Sequence, residues 1–98
     1  MTKAKGGSAE PVSLPPTWWV YILRCGSRRD GTYYTGIAID VDARLEKHRS
    51  GKGAKYTRSR GTLTLVYRER VGTQGDATRR EMAIKRLSRC EKIALVAA

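Results

Sequence analysis

Trp18-Trp-Val-Tyr-Ile-Leu-Arg-Cys25 and Thr32-Tyr-Tyr-Thr-Gly-Ile37 are two short apolar runs separated by Gly26-Ser-Arg-Arg-Asp-Gly31. Both are rich in β-branched and aromatic residues, and the segment between them has turn chemistry, so the pair reads as a β-hairpin. The first run is apolar at odd and even positions alike, which suits a strand covered on both faces. With the loop at Gly26 to Gly31, Cys25 pairs with Thr32, Leu23 falls opposite Tyr34, and Tyr21 falls opposite Gly36. Tyr21 and Tyr34 then share a face as diagonal neighbours, about 7 to 8 Å apart at the backbone. A glycine inside a strand loses packing and often marks a place that another group must approach closely.

Working outward, residues 1–16 are mostly Gly, Ser, Ala, Lys and Pro with little to bury, and read as a disordered arm. The Pro15-Pro16 pair closes that arm, and residues 17–98 form one domain, since 98 residues hold no material for two. Asp40 is placed to cap a helix from Val41 to about Ser50, stopped by Gly51. Val41 and Leu45 form its apolar stripe, and Arg44 and His48, also four apart, emerge together one position round from it. Thr62 to Arg70 alternates Leu63, Leu65 and Tyr67 with Thr64, Val66 and Arg68, which predicts a third strand. After a turn at Val71 to Gly75, Asp76 is placed to cap a helix to about Leu87 with Ala83, Ile84 and Leu87 as its apolar face. Ser88 and Glu91 have the spacing of a capping box for a last helix from Arg89 to about Val96.

Twenty Lys and Arg against nine Asp and Glu give a formal charge of +11, a field that attracts polyanions. The charge is densest around Gly51 to Gly61, where Lys52, Lys55, Arg58 and Arg60 surround Tyr56. The seven basic residues from Arg44 to Arg60 face only Glu46 as an opposing charge. Backbone amides and cations there can track phosphates while Tyr56 stacks on a base or sugar; a charged connector is the plainer alternative. No run is long and apolar enough to span a bilayer, and no helix has the character of a membrane-surface segment. Cys25 and Cys90 read as free thiols in a reducing, cytoplasmic setting. With His48 they cannot complete a four-ligand zinc site. Glu81, the only acid between Asp76 and Glu91, can pair with Lys85 one turn on, or hold a hydrated Mg²⁺ among basic neighbours.

Val20-Tyr21-Ile22, Tyr34-Thr35-Gly36, Arg44 with His48, the Gly53 to Arg58 loop and Arg80-Glu81 stand in an order and spacing that resemble the GIY-YIG nuclease superfamily, most closely its small single-domain members. The resemblance covers about Trp18 to Val96. It implies an α+β (α/β class) fold, a three-stranded antiparallel sheet flanked by helices in the order β-β-α-β-α-α. It also implies an endonuclease that hydrolyses DNA phosphodiesters with one divalent metal, Mg²⁺ or Mn²⁺. Carried over by position, Tyr21 and Tyr34 match the motif tyrosines, Arg44 the arginine of the first helix, His48 the histidine some members carry four residues later, and Glu81 the metal-binding glutamate. In this frame Tyr21 is the general base, with Arg44, other cations and the metal favouring its phenolate, and His48 accepts or relays the proton. Lys52, Lys55, Tyr56, Arg58 and Arg60 grip flanking backbone with little sequence preference. RNA or branched structures are further substrates to consider, and a protein partner can supply specificity.

Val20 stands where the first motif has glycine, Thr35 where the second has its middle isoleucine, and the chain lacks the asparagine many family nucleases use, having no Asn at all. A nucleic-acid-binding module of the same fold with little or no cleavage is therefore the competing reading. An enzyme for a small anionic substrate is weaker, because a +11 charge exceeds what one small ligand requires.

Overall fold

The computed structural model describes residues 15–52 and 61–98. Six elements follow in order: β1 (Trp18–Cys25), β2 (Thr32–Ala38), α1 (Val41–Arg49), β3 (Leu63–Gly72), α2 (Gln74–Lys85) and α3 (Arg89–Ala97). The sheet is antiparallel with strand order β2-β1-β3, so β1 is central, as its two-sided apolar pattern requires. Cys25 pairs with Thr32, Leu23 with Tyr34 and Tyr21 with Gly36, the register read from the turn. The hairpin closes on Gly31, whose amide donates to the Ser27 carbonyl at 2.7 Å. A side chain there would lie 2.3 Å from that carbonyl oxygen.

Because β1 is central, its residues feed two cores. Tyr21, Leu23 and Cys25 pack with Val41 and Leu45 of α1 and with Leu63, while Val20 and Ile22 pack with Ala77 and Ile84 of α2. Leu95 and Val96 of α3 add to the second core.

The third strand departs from simple alternation. Ile22 pairs with Tyr67 but Leu23 pairs with Leu65, so Val66 is an extra residue, a bulge. The bulge shifts the pleat by one position, so Leu63 and Leu65 face α1 while Tyr67 turns to the α2 side. The strand also continues through Val71 and Gly72, where a turn was expected.

The helix caps follow side-chain chemistry. Asp40 caps α1, its Oδ1 accepting from the Ala43 amide at 3.0 Å. Gly51, at φ +81°, ends that turn in a conformation suited to glycine. Thr73, not Asp76, caps α2; Asp76 is the third helical residue and completes a capping box with it. Thr73 and Asp76 have the same spacing as Ser88 and Glu91, which cap α3 in the same manner. With α2 starting earlier, Ala77 and Ile84, two turns apart, are its buried positions, and Ala83 faces outward.

Thr35 is buried and its hydroxyl has no hydrogen-bond partner among the described residues. Thr35→Val keeps the β-branched shape and removes the unsatisfied group, so the expected outcome is a gain of about 1 kcal/mol. It is checked by a higher denaturant midpoint at unchanged slope.

Candidate active site

Tyr21 and Tyr34 lie on the α1 side of the hairpin with ring centroids 6.4 Å apart. His48 completes the group. The Tyr21 hydroxyl is 3.0 Å from His48 Nε2, and the Tyr34 ring meets the imidazole edge-on at 5.2 Å. Tyr21 is 1% exposed and His48 3%. Val41, Leu45 and His48 are the buried residues of α1, so His48 continues the apolar stripe rather than lying one position round from it.

Gly36 makes this convergence possible. A Cβ at that position would lie 2.6 Å from the Tyr21 hydroxyl and 2.7 Å from Cζ, so the phenol occupies the space a side chain would take. Gly36→Ala therefore pushes a buried ring off His48, with an expected cost of about 1–3 kcal/mol. For a Tyr21 that takes part in cleavage, a shift of about 1 Å lowers the rate about a hundredfold. Thermal unfolding and single-turnover cleavage test the two halves of this expectation.

Arg44 stands against the Tyr21 hydroxyl as both a charge and a hydrogen-bond donor. Its charge also bears on Tyr34 and His48. Glu81, from α2, acts on both tyrosines. Its side chain is 19% exposed, and Oε2 lies 3.5 Å from Lys85 Nζ, the one-turn pair expected from the sequence.

Burial sets the protonation of the group. It pushes the Tyr21 hydroxyl far above the ordinary phenol value, and Tyr34 and Glu81 add to the rise while Arg44 opposes it. Arg44 pulls toward the phenolate as expected, but desolvation outweighs it. Tyr34 is raised as well, first by burial and then by Glu81. Burial, then Arg44, lowers the His48 pKa below its ordinary 6.5, so the imidazole is neutral at pH 7.

The folded state resists protonating His48, so this histidine costs no stability above about pH 6.5 and becomes unfavourable as pH falls through the window below it. In His48→Gln that acid-side loss is expected to be absent. Denaturant unfolding of both chains from about pH 7.5 to about pH 5 checks it: the parent should lose its advantage as pH falls.

Among the described residues no three His, Cys, Asp or Glu side chains come together as a metal cluster. Glu81 is a single hard oxygen donor whose charge reaches both tyrosines. Such a site suits Mg²⁺ or Mn²⁺, which bind through one or two carboxylates and keep waters or substrate phosphate as their other ligands.

Of the expected strand-gripping residues, Lys52 is exposed just beyond α1, its amide donating to the Lys47 carbonyl at 2.9 Å. Lys55, Tyr56, Arg58 and Arg60 lie outside the described residues, as does the expected arm through residue 14.

A clasp behind Glu81 was not anticipated. Arg80 Nε donates to both carboxylate oxygens of Glu69, at 3.2 and 3.1 Å, and the Tyr67 hydroxyl donates to the same carboxylate. This ties α2 to β3 one residue from Glu81. The available signal was Glu69 itself, the only acid in a ten-residue strand.

Fold and site together define a GIY-YIG domain: the model of the GIY-YIG catalytic domain matches residues 17–94, and the chain belongs to that family. Within it the similarity is to UPF0213 proteins. The one from Desulfotalea psychrophila is 49% identical over 89 residues, covering 90% of this chain and 78% of its own length. The one from Halobacterium salinarum is 49% identical, covering 78% of this chain and 95% of its own length. The solution NMR structure of a UPF0213 protein from Bacillus halodurans is 48% identical with a TM-score of 0.50. That of an E. faecalis protein is 35% identical with a TM-score of 0.56, and each comparison covers 83% of both chains. Among the described residues no helix is long and apolar enough to cross a membrane.

Proposed function

We propose that this chain is a divalent-metal-dependent endonuclease that hydrolyses DNA phosphodiester bonds, selecting structure more than sequence. The observation that carries the reading is the 3.0 Å contact between the Tyr21 hydroxyl and a neutral His48, with Arg44 and Glu81 both acting on that phenol.

Hydrolysis needs a deprotonated water, but a phenol raised by burial holds its proton at neutral pH. Tyr21 therefore works as a relay. As its oxygen takes a proton from the attacking water, its own proton passes to His48 Nε2, which is bare in the imidazole tautomer this step uses. Burial keeps His48 neutral before the transfer and makes it release the proton readily afterwards. Arg44 holds a non-bridging phosphate oxygen through its fixed fork of donors. Tyr34 orients the water or the phosphate. Glu81 would hold Mg²⁺ or Mn²⁺, which when bound supplies Lewis-acid stabilisation of the phosphoryl and leaving oxygens. Lys52, with Lys55, Tyr56, Arg58 and Arg60, grips the flanking backbone.

Cleavage of single-stranded, duplex, flap and branched DNA with Mg²⁺ or Mn²⁺, run beside Glu81→Ala, tests the reading. Metal-dependent cutting that the variant loses supports it, and tight binding without cutting on any substrate refutes it. The latter result would establish a binding module of the same fold, the reading that the lack of any Asn favours.

A further inference from the structure

Ile39, the residue after β2, is a large apolar side chain left 47% exposed. A hollow of about 200 Å³ opens next to it, lined by Trp18, Ala38, Ile39, Asp40, Ala43, Arg44 and Lys47. Ala43, Arg44 and Lys47 sit at the one-turn spacing that puts them on one side of α1, so an apolar floor is bordered by two cations. Arg44 is shared with the catalytic group, where it stands against the Tyr21 hydroxyl. The acid in the lining, Asp40, caps α1 through the Ala43 amide, next to the positive end of the helix dipole.

The hollow on the other flank of Ile39 has a different character. It is lined by Trp19, Asp40, Val41, Asp42 and Arg68, and Arg68 is paired with Asp42 at 3.7 Å while lying over the Trp19 ring at 5.8 Å. Its cation is already engaged and its rim carries two acids, which suits a polyanion poorly. A third hollow, at Thr32, Tyr33, Arg89 and Lys92, has Arg89 donating to the Gly31 and Arg29 carbonyls.

We propose that the hollow between Trp18, Ile39, Ala43 and Lys47 receives an unpaired base of the DNA strand whose phosphate Arg44 holds. This deepens the nuclease reading by naming its substrate as single-stranded or junction DNA, and it rests on DNA being the substrate. The chemistry matches on each side: a base has an apolar face for Trp18 and Ile39, and its flanking phosphates meet Lys47 and Arg44. A base within an intact duplex is stacked and paired, and must leave the stack to enter a lateral hollow. A strand already unpaired incurs no such cost, so selectivity for structure follows without any reading of sequence.

The test uses the full chain in metal-free buffer, so that binding is separated from cutting. Affinities are measured for an oligothymidylate and for an abasic strand of the same length. The parent chain is expected to bind the abasic strand about tenfold more weakly. Ile39→Ser removes the apolar floor, and Ala43→Gln fills the hollow with a residue favoured at the third position of a capped helix. In both variants the difference between the two strands should shrink to about twofold or less. No difference in the parent, or a full difference kept in either variant, overturns the proposal. A parent that cuts no substrate yet shows the base-dependent difference, lost in both variants, would retain the base site and reject only the nuclease reading.

Discussion

Tyr21→Phe is expected to slow metal-dependent DNA cleavage by about a hundred- to ten-thousandfold, the range attached to a positioned proton-transfer group. The phenylalanine ring fills the same buried space, so packing around Leu23 and Val41 is kept. What disappears is the oxygen that stands 3.0 Å from His48 Nε2. Losing that buried hydrogen bond also costs about 1–3 kcal/mol, so rates must be measured well below the variant's unfolding transition. DNA affinity should change little, because the lost group carries no charge at neutral pH. Single-turnover cleavage at saturating enzyme separates the two quantities, and a rate within about threefold of the parent would remove Tyr21 from the proton path.

Glu81→Ala is expected to abolish cleavage at every Mg²⁺ or Mn²⁺ concentration while metal-free DNA binding stays equal or tightens, since an acid is removed from a basic surface. Its effect on stability should be small, because a one-turn helix pair such as that with Lys85 contributes only tenths of a kcal/mol. A second readout does not depend on catalysis at all. The Glu81 charge adds to the rise that burial gives Tyr34, so in the variant that phenol should ionise at lower pH, visible in an ultraviolet titration of tyrosinate. Cleavage that persists would place the metal elsewhere, and an unmoved titration would separate Glu81 from Tyr34.

The hairpin was legible in the chain because its information is local. Gly26 and Gly31 bound the loop, the loop length sets the register, and the register puts Tyr21 opposite Gly36. The caps at Asp40 and Ser88 were legible for the same reason, each being a contact within one turn. The cap of α2 was misassigned because Thr73 and Asp76 are both good capping residues. The choice between them depends on where β3 lets go of the sheet, which is two residues later than its alternating pattern suggested.

The resemblance to the GIY-YIG superfamily nominated the site residues, two phenols, a guanidinium, an imidazole and a carboxylate, each on an element legible in the chain. Three matters depended on the packed chain. The bulge at Val66 sends Tyr67 to the opposite face from Leu65, and only pairing with β1 reveals it. The Arg80–Glu69 clasp joins residues eleven apart on a helix and a strand. The ionisation of Tyr21 follows from competition between burial and the Arg44 charge, and burial wins. Residue types and spacing are inherited from the chain one position at a time, whereas desolvation is a sum over every neighbour that excludes water. That sum exists only after folding, and it raises the Tyr21 hydroxyl against the pull of Arg44.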